Sequence, residues 1–330
     1  MRRRHLLAGL LATAAVSAVR ADDARKAHGI AVCTGWDTTS LSNPRMLSFF
    51  EELRRLGYIE GTNLIIDRYA ADGKTTRYPQ IVHDVLRSRP DVIVVGGVAH
   101  ELIAQFGKAT SSIPIVATMG DPIAAGIVAN LARPGANITG IVLDAGIEMQ
   151  GKHLELLKEA VPSASRVAYL SPRPQWEGAW GQEVVASGKR LAISIMGVPM
   201  EASADEAQYH RAFESMANQR ADAVMVNGFG SNYIYQRLIA ELALKYRLPS
   251  IHWTPEFVEA GGLMVYAPDY IPLFVAMAGQ IDKVLKGVKP GDIPIDQPTK
   301  FSLSINLKAT RALDLTLPAT LLAQADRVIE

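Results

Sequence analysis

Reactive side chains are few and scattered in this sequence, and their spacing rules out most of the chemistry they could do. The seven histidines (5, 28, 83, 100, 153, 210 and 252) show no metal-ligand spacing, and a single cysteine, Cys33, cannot build a thiolate site. Cys33 lies inside an apolar run and reads as a core thiol, not a nucleophile. No G-x-S-x-G elbow, no phosphate loop ending in Gly-Lys-Ser/Thr and no H-E-x-x-H is present. Glu51-Glu52 and Glu155 with Glu159 fall on helical stretches as solvent-facing charge. No metal, cofactor or catalytic residue is expected.

What remains is a set of glycine, polar and aromatic residues at the ends of apolar runs, groups suited to binding. Trp36 and Asp37 follow HGIAVCT; a tryptophan there stacks on a flat ligand or packs over a cleft edge. Gly96, Gly97, Val98 and Ala99 follow DVIVV, at a junction where backbone N–H groups cradle an anion or make a tight turn. Asp121 follows SIPIVATMG and either binds an ammonium or hydroxyl group or N-caps a helix. In the second half, Trp176 follows VAYLSPRP, Asn227, Phe229 and Tyr233 follow DAVMV, and His252 and Trp253 follow LPSI. All thirteen are candidate ligand-binding residues. Tyr266, ending GGLMVY, is assigned to packing at a chain crossing.

The elements that position these groups alternate. HGIAVCT (28–34) is a strand, PRMLSFFEELRRLGY a helix opened by Pro44 and stopped by Gly57, and NLIIDRYA (63–70) a strand. YPQIVHDVLRSR (78–89) is a helix and DVIVV (91–95) a strand buried on both faces. This alternation predicts parallel sheets covered by helices. The phrase repeats: SRPDVIVVGG (88–97) aligns without gaps on QRADAVMVNG (219–228), and SIPIVAT (112–118) has a counterpart in RLPSIHW (247–253). Two similarly built lobes follow. Between them GDPIAAGIVANLARPGANITG (120–140) reads as the exit from the first lobe, with Pro122 opening a short helix. The fold class is α/β, two doubly wound parallel-sheet lobes joined by a hinge. The expected division is 28–141 plus about 267–298 for one lobe, and 142–266 plus about 299–330 for the other.

Residues 1–21 have a basic start, an apolar run from Leu6 to about Val16 and a small-residue end at Ala21, the layout of a signal peptide. Arg3-Arg4 leaves twin-arginine export open. Removal takes four arginines and no acids, moving the formal charge from +1 to about −3. That excludes the basic footprint of a nucleic-acid binder. A monomer in the periplasm, without nucleic acid, is expected.

The chain resembles the periplasmic substrate-binding proteins of ABC transporters, of the type I two-lobe fold, in the branch with tryptophan- and tyrosine-binding members. The stretches that carry this are LRRLGYIEGTNLIIDRYA, IPIVATMGDPIAAGIVANLARPGANITGI, KHLELLKEAVPSASRVAYL, RLPSIHWTPEFVEAGGLMVYAPD and the end from KPGDIPIDQPTKFS to RVIE. The resemblance implies capture of a small organic molecule and delivery to a membrane permease; Val265 and Ala267, which offer few polar partners, point to an aromatic or amino-acid-like one. The chain departs from the family pattern at Gly96-Gly97-Val98, at Val265-Tyr266-Ala267 and in LFVAMAGQ, so a relative's ligand is not carried over. Two other readings use the same cleft: an exported hydrolase-like α/β enzyme, and a ligand sensor for a membrane receptor.

Overall fold

The computed structural model describes residues 27–35, 41–144, 146–201, 204–228 and 231–330. The expected signal segment, Trp36, Asp37 and Phe229 lie outside them.

Two sheets are built in succession. Strands β1 (His28–Thr34), β2 (Leu64–Ala70), β3 (Val92–Gly96), β4 (Ile115–Met119) and β5 (Ile138–Val142) are parallel, in the order β2-β1-β3-β4-β5. Their apolar runs are two-faced. Ile30 and Val32 pack with Phe49, Leu53, Phe274 and Met277 on one side, whereas Ala31 and Cys33 pack with Val85, Leu102 and Phe106 on the other. Each large side chain buried this way contributes about 1.5–3 kcal/mol before the cost of ordering it.

The second sheet comprises β6 (Arg166–Pro172), β7 (Ser194–Met200), β8 (Ala223–Val226), β9 (Ser250–His252), β10 (Met264–Pro268), β11 (Phe301–Asn306) and β12 (Arg327–Ile329), in the order β12-β11-β10-β9-β8-β6-β7. Its first five strands repeat the winding of the first sheet. The expectation of a purely parallel sheet needs one correction, because β11 runs antiparallel to β10. After β10 the chain crosses to the first lobe, lays helix Ile271–Leu285 beside helix Pro44–Arg55, and fixes residues 293–296 against β5. It therefore re-enters the second lobe from the end at which β10 left, and the returning strand must point the opposite way. With the passage after β5, the chain crosses three times.

The repeated phrase has a structural meaning. Arg89 and Arg220 both adopt left-handed backbone at the helix exits, with φ of 51° and 57°. Two residues on, Asp91 Oδ2 accepts from the Gly29 N–H at 2.8 Å, and Asp222 Oδ2 accepts from Ser165 N–H at 2.7 Å and Arg166 N–H at 2.8 Å. Each aspartate ties the start of its sheet's third-built strand to that of the first.

Stretch 120–140 differs from its reading as a lobe exit. It stays on the first lobe, with Ile127, Val128 and Leu131 packed on that core, and the turn after Pro122 does not become a helix. Gly140 explains one of its glycines. At φ 146° on β5, an added Cβ would lie 1.9 Å from the Ala117 carbonyl oxygen.

Candidate functional site

A cavity of about 870 Å³ lies between the carboxyl ends of the two sheets. In a sheet of this winding the crevice opens where the connections from adjacent strands leave to opposite faces, between β1 and β3 and, in the second sheet, between β6 and β8. The cavity touches both places. Thr34 ends β1, Gly96 ends β3 with Gly97 and Val98 just beyond it, Gln175 and Trp180 follow β6, and Gly228 follows β8.

On the first-lobe wall, Gly97 and Val98 take left-handed conformations in succession, with φ of 80° and 55°. Valine there is strained by about 1–3 kcal/mol. The Val98 N–H donates to Thr118 Oγ1 at 3.3 Å, so that donor is already engaged. Asp121 follows β4, and its Oδ1 accepts from the N–H groups of Ile123 at 3.0 Å and Ala124 at 2.9 Å, holding the turn in place. Asp144 follows β5 in the same way. Burial, with the nearby Asp121 and Glu148 adding to it against one hydrogen bond from Gly146 N–H, pushes its carboxyl up to about 6. His100 Nε2 accepts from Gly120 N–H at 2.9 Å, which assigns the ring proton to Nδ1, and burial lowers its basicity further.

Helix Pro44–Arg55 brings a cation to the cavity. Asn43 Oδ1 caps it by accepting from Met46 N–H at 3.0 Å, Pro44 suits its first turn, and Met46, Phe49 and Leu53 anchor its inner face. Arg45 is thereby aimed at the second lobe. Its Nη2 donates to Tyr233 Oη at 3.0 Å and to Glu256 Oε1 at 2.6 Å, and the guanidinium carbon stands 5.4 Å from the Tyr270 ring centre. With Arg45 neutralised by Glu256 and His100 neutral, Asp121 and Asp144 leave the lining negative, which favours positive over negative charge in a solute. Apolar contact comes from Met46, Leu143, Trp180, Tyr270 and Phe274.

Of the sequence candidates, Gly96, Gly97, Val98, Asp121 and Tyr233 lie on the cavity wall. Five others stand behind it. Ala99 is buried at the start of helix His100–Ala109. Trp176 packs on Tyr169, with ring centres 6.4 Å apart, and fills the space left by Gly197. Asn227 is fully buried, its Nδ2 donating to Tyr169 Oη at 3.1 Å. His252 stacks on Phe257 at 4.3 Å, and burial drops its pKa to about 3. Trp253 lies flat on the buried His153, 4.4 Å between centres and 2° between planes.

Sequence reasoning passed over Arg45, Asp144, Gln175, Trp180, Thr254 and Tyr270. Asp144 carried a usable signal, since it closes ITGIVLD as Asp121 closes the preceding strand. Arg45 carried none, because nothing local tells which way a first-turn side chain points across a cleft.

Comparisons with known proteins agree with this architecture. The family model described as ABC transporter substrate binding protein matches residues 40–329. A protein of Clostridioides difficile named tyrosine-binding protein is 24% identical over 295 residues, which is 89% of this chain and 83% of that one. A conserved domain protein from Vibrio cholerae superposes with a TM-score of 0.81 at 24% identity, over 92% of this chain and 100% of that one. A Streptococcus pneumonia ABC domain solved with L-Trp superposes with a TM-score of 0.80 at 22% identity, over the same 92% and 100%. At these identities the structural matches speak to the fold.

Proposed function

Because the chain belongs to the ABC transporter substrate-binding protein family, a family of solute-binding proteins and not of enzymes, we propose that it is the solute-capturing component of an ABC uptake system. It takes a small organic molecule into the cavity, the lobes close over it, and a membrane permease receives it. The lobes are those divided at about 141, 266 and 298, and they turn about the three chain crossings. The signal-like layout of residues 1–21 supports a place in the periplasm for this component, and we take it to act there as a monomer.

One observation carries this reading: a single cavity of about 870 Å³ reaches the strand-order reversals of both sheets at once, so one solute would touch both lobes. The solute is read as an aromatic or apolar molecule bearing a positive group, with its body against Trp180, Tyr270 and Phe274 and its charge near Asp121 and Asp144. The relative that binds tyrosine and the structure solved with L-Trp make those two amino acids the first probes. A thermal-shift screen with L-tyrosine, L-tryptophan, aromatic amines, aromatic acids and nucleosides tests the reading. A true solute at a hundred times its Kd raises stability by about 2.7 kcal/mol. Aromatic acids raising the melting temperature while amines and amino acids leave it unchanged would overturn the charge assignment.

A further inference from the structure

Arg45 joins the two lobes in a way the capture of solute does not by itself require. It starts from a first-lobe helix held by Asn43 and Pro44, yet its Nη2 donates to Tyr233 Oη at 3.0 Å and to Glu256 Oε1 at 2.6 Å, on the second-lobe helices Ser231–Ile234 and Glu256–Glu259. The ion pair is largely shielded, with side-chain exposures of 15% and 24%. Flanking rings of Tyr233 and Tyr270, centred 5.8 and 5.4 Å from the guanidinium carbon, add cation–π attraction from one lobe and from the crossing. Opening the cleft must break these contacts together.

We propose that Arg45, with Glu256 and Tyr233, is an affinity-setting clasp: it favours the closed arrangement of the lobes and so tightens binding of whatever solute fills the cavity. The apparent dissociation constant scales inversely with the fraction of protein in the binding-competent arrangement. A clasp that raises that fraction strengthens binding through the lobe equilibrium itself; Arg45 and Tyr233 also line the cavity, whereas Glu256 stands behind the lining and reports on the clasp alone. The inference rests on the two-lobe closing reading, but its test needs no solute.

The test is the lobe separation in solute-free protein, read by electron–electron spin resonance between labels at Lys108→Cys and Glu214→Cys, both exposed and on opposite lobes; Cys33 is buried. Glu256→Gln is near-isosteric and keeps the test informative if Arg45→Gln does not fold. Each single variant is expected to raise the open-to-closed ratio about fivefold or more, the scale for losing a partly shielded ion pair. The exchanged pair Arg45→Glu with Glu256→Arg is expected to restore the closed population. Unchanged distances in Glu256→Gln, or an exchanged pair that stays as open as the single variants, would overturn the clasp and leave the solute-binding reading standing.

Discussion

Trp180 leans on Trp253, with ring centres 5.2 Å apart and planes inclined by 56°, and of the two only Trp180 faces the cavity. Trp253 turns away to stack on His153, whose two ring nitrogens each lie 2.8 Å from a carbonyl oxygen, of Met149 and of Tyr266. The second lobe thus offers a solute one indole that is backed by a buried ring stack.

Loss of the two rings should read out differently. Trp180→Ala should weaken solute binding by about 1–3 kcal/mol, the scale for a buried aromatic anchor, and leave unfolding in urea nearly unchanged. Trp253→Ala should lower stability by about 3–5 kcal/mol, as for a large side chain removed from a core. Calorimetric titration and urea denaturation separate these effects. The reverse pattern would put the wrong tryptophan on the cavity.

Asp144 should make stability depend on pH. Its carboxyl titrates near 6 in the folded protein, raised by burial, against an ordinary value of 3.8. Between those values the unfolded chain gives up its proton first, so the contribution of Asp144 is fully present below about pH 4 and is lost as pH rises through 6. Asp144→Asn should therefore gain up to about 2 kcal/mol at pH 7.5 and nothing at pH 3.5. Melting curves of both proteins across this range decide it, and a gain that does not vary with pH would contradict the assignment.

Two glycines should behave in opposite ways. Gly140→Ala forces a Cβ to 1.9 Å from the Ala117 carbonyl oxygen and should cost about 3 kcal/mol or more. Gly107, in helix His100–Ala109 with nothing within 4 Å of an added Cβ, should gain about 0.5–1 kcal/mol as alanine. Equal effects in urea denaturation would contradict the close approach of β4 and β5.

How far the sequence revealed these features depended on whether the cause was local. Asp91 and Asp222 were legible as a repeat because each does a short-range task, tying one strand start to its neighbour, that fixes residue type and position. Helix Pro44–Arg55 was legible through Pro44, Gly57 and its apolar spacing. The antiparallel β11 was not, since its direction follows from a chain that leaves one lobe and returns to another. Trp253 and His252 were placed at a strand end correctly in sequence but on the wrong side of it, because a three-residue strand such as β9 does not reveal which face its last side chains take. Arg45 needed both lobes in place before its partners existed.

The repeated aspartates should also differ in weight. Asp222 accepts from Ser165 N–H, Ser165 Oγ and Arg166 N–H, and these bonds outweigh the effect of burial and hold its carboxyl below the ordinary range. Asp91 accepts from Gly29 N–H. Asp222→Ala should destabilise by about 1 kcal/mol more than Asp91→Ala, and the Asp222 contribution should fade as pH falls through its lowered pKa. Equal losses at pH 7 would show that the extra bonds contribute nothing.

The central claim, that one solute is held between both lobes in the cavity, is tested most directly by filling the cavity from each side. Ala125 lines it from the first lobe and Ala179 from the second, and both are exposed. Isothermal titration of a solute that scores in the thermal-shift screen should show binding to the wild-type protein and its loss in both Ala125→Trp and Ala179→Trp, with melting temperatures kept close to the parent. Undiminished affinity in either folded variant would contradict a site built by two walls.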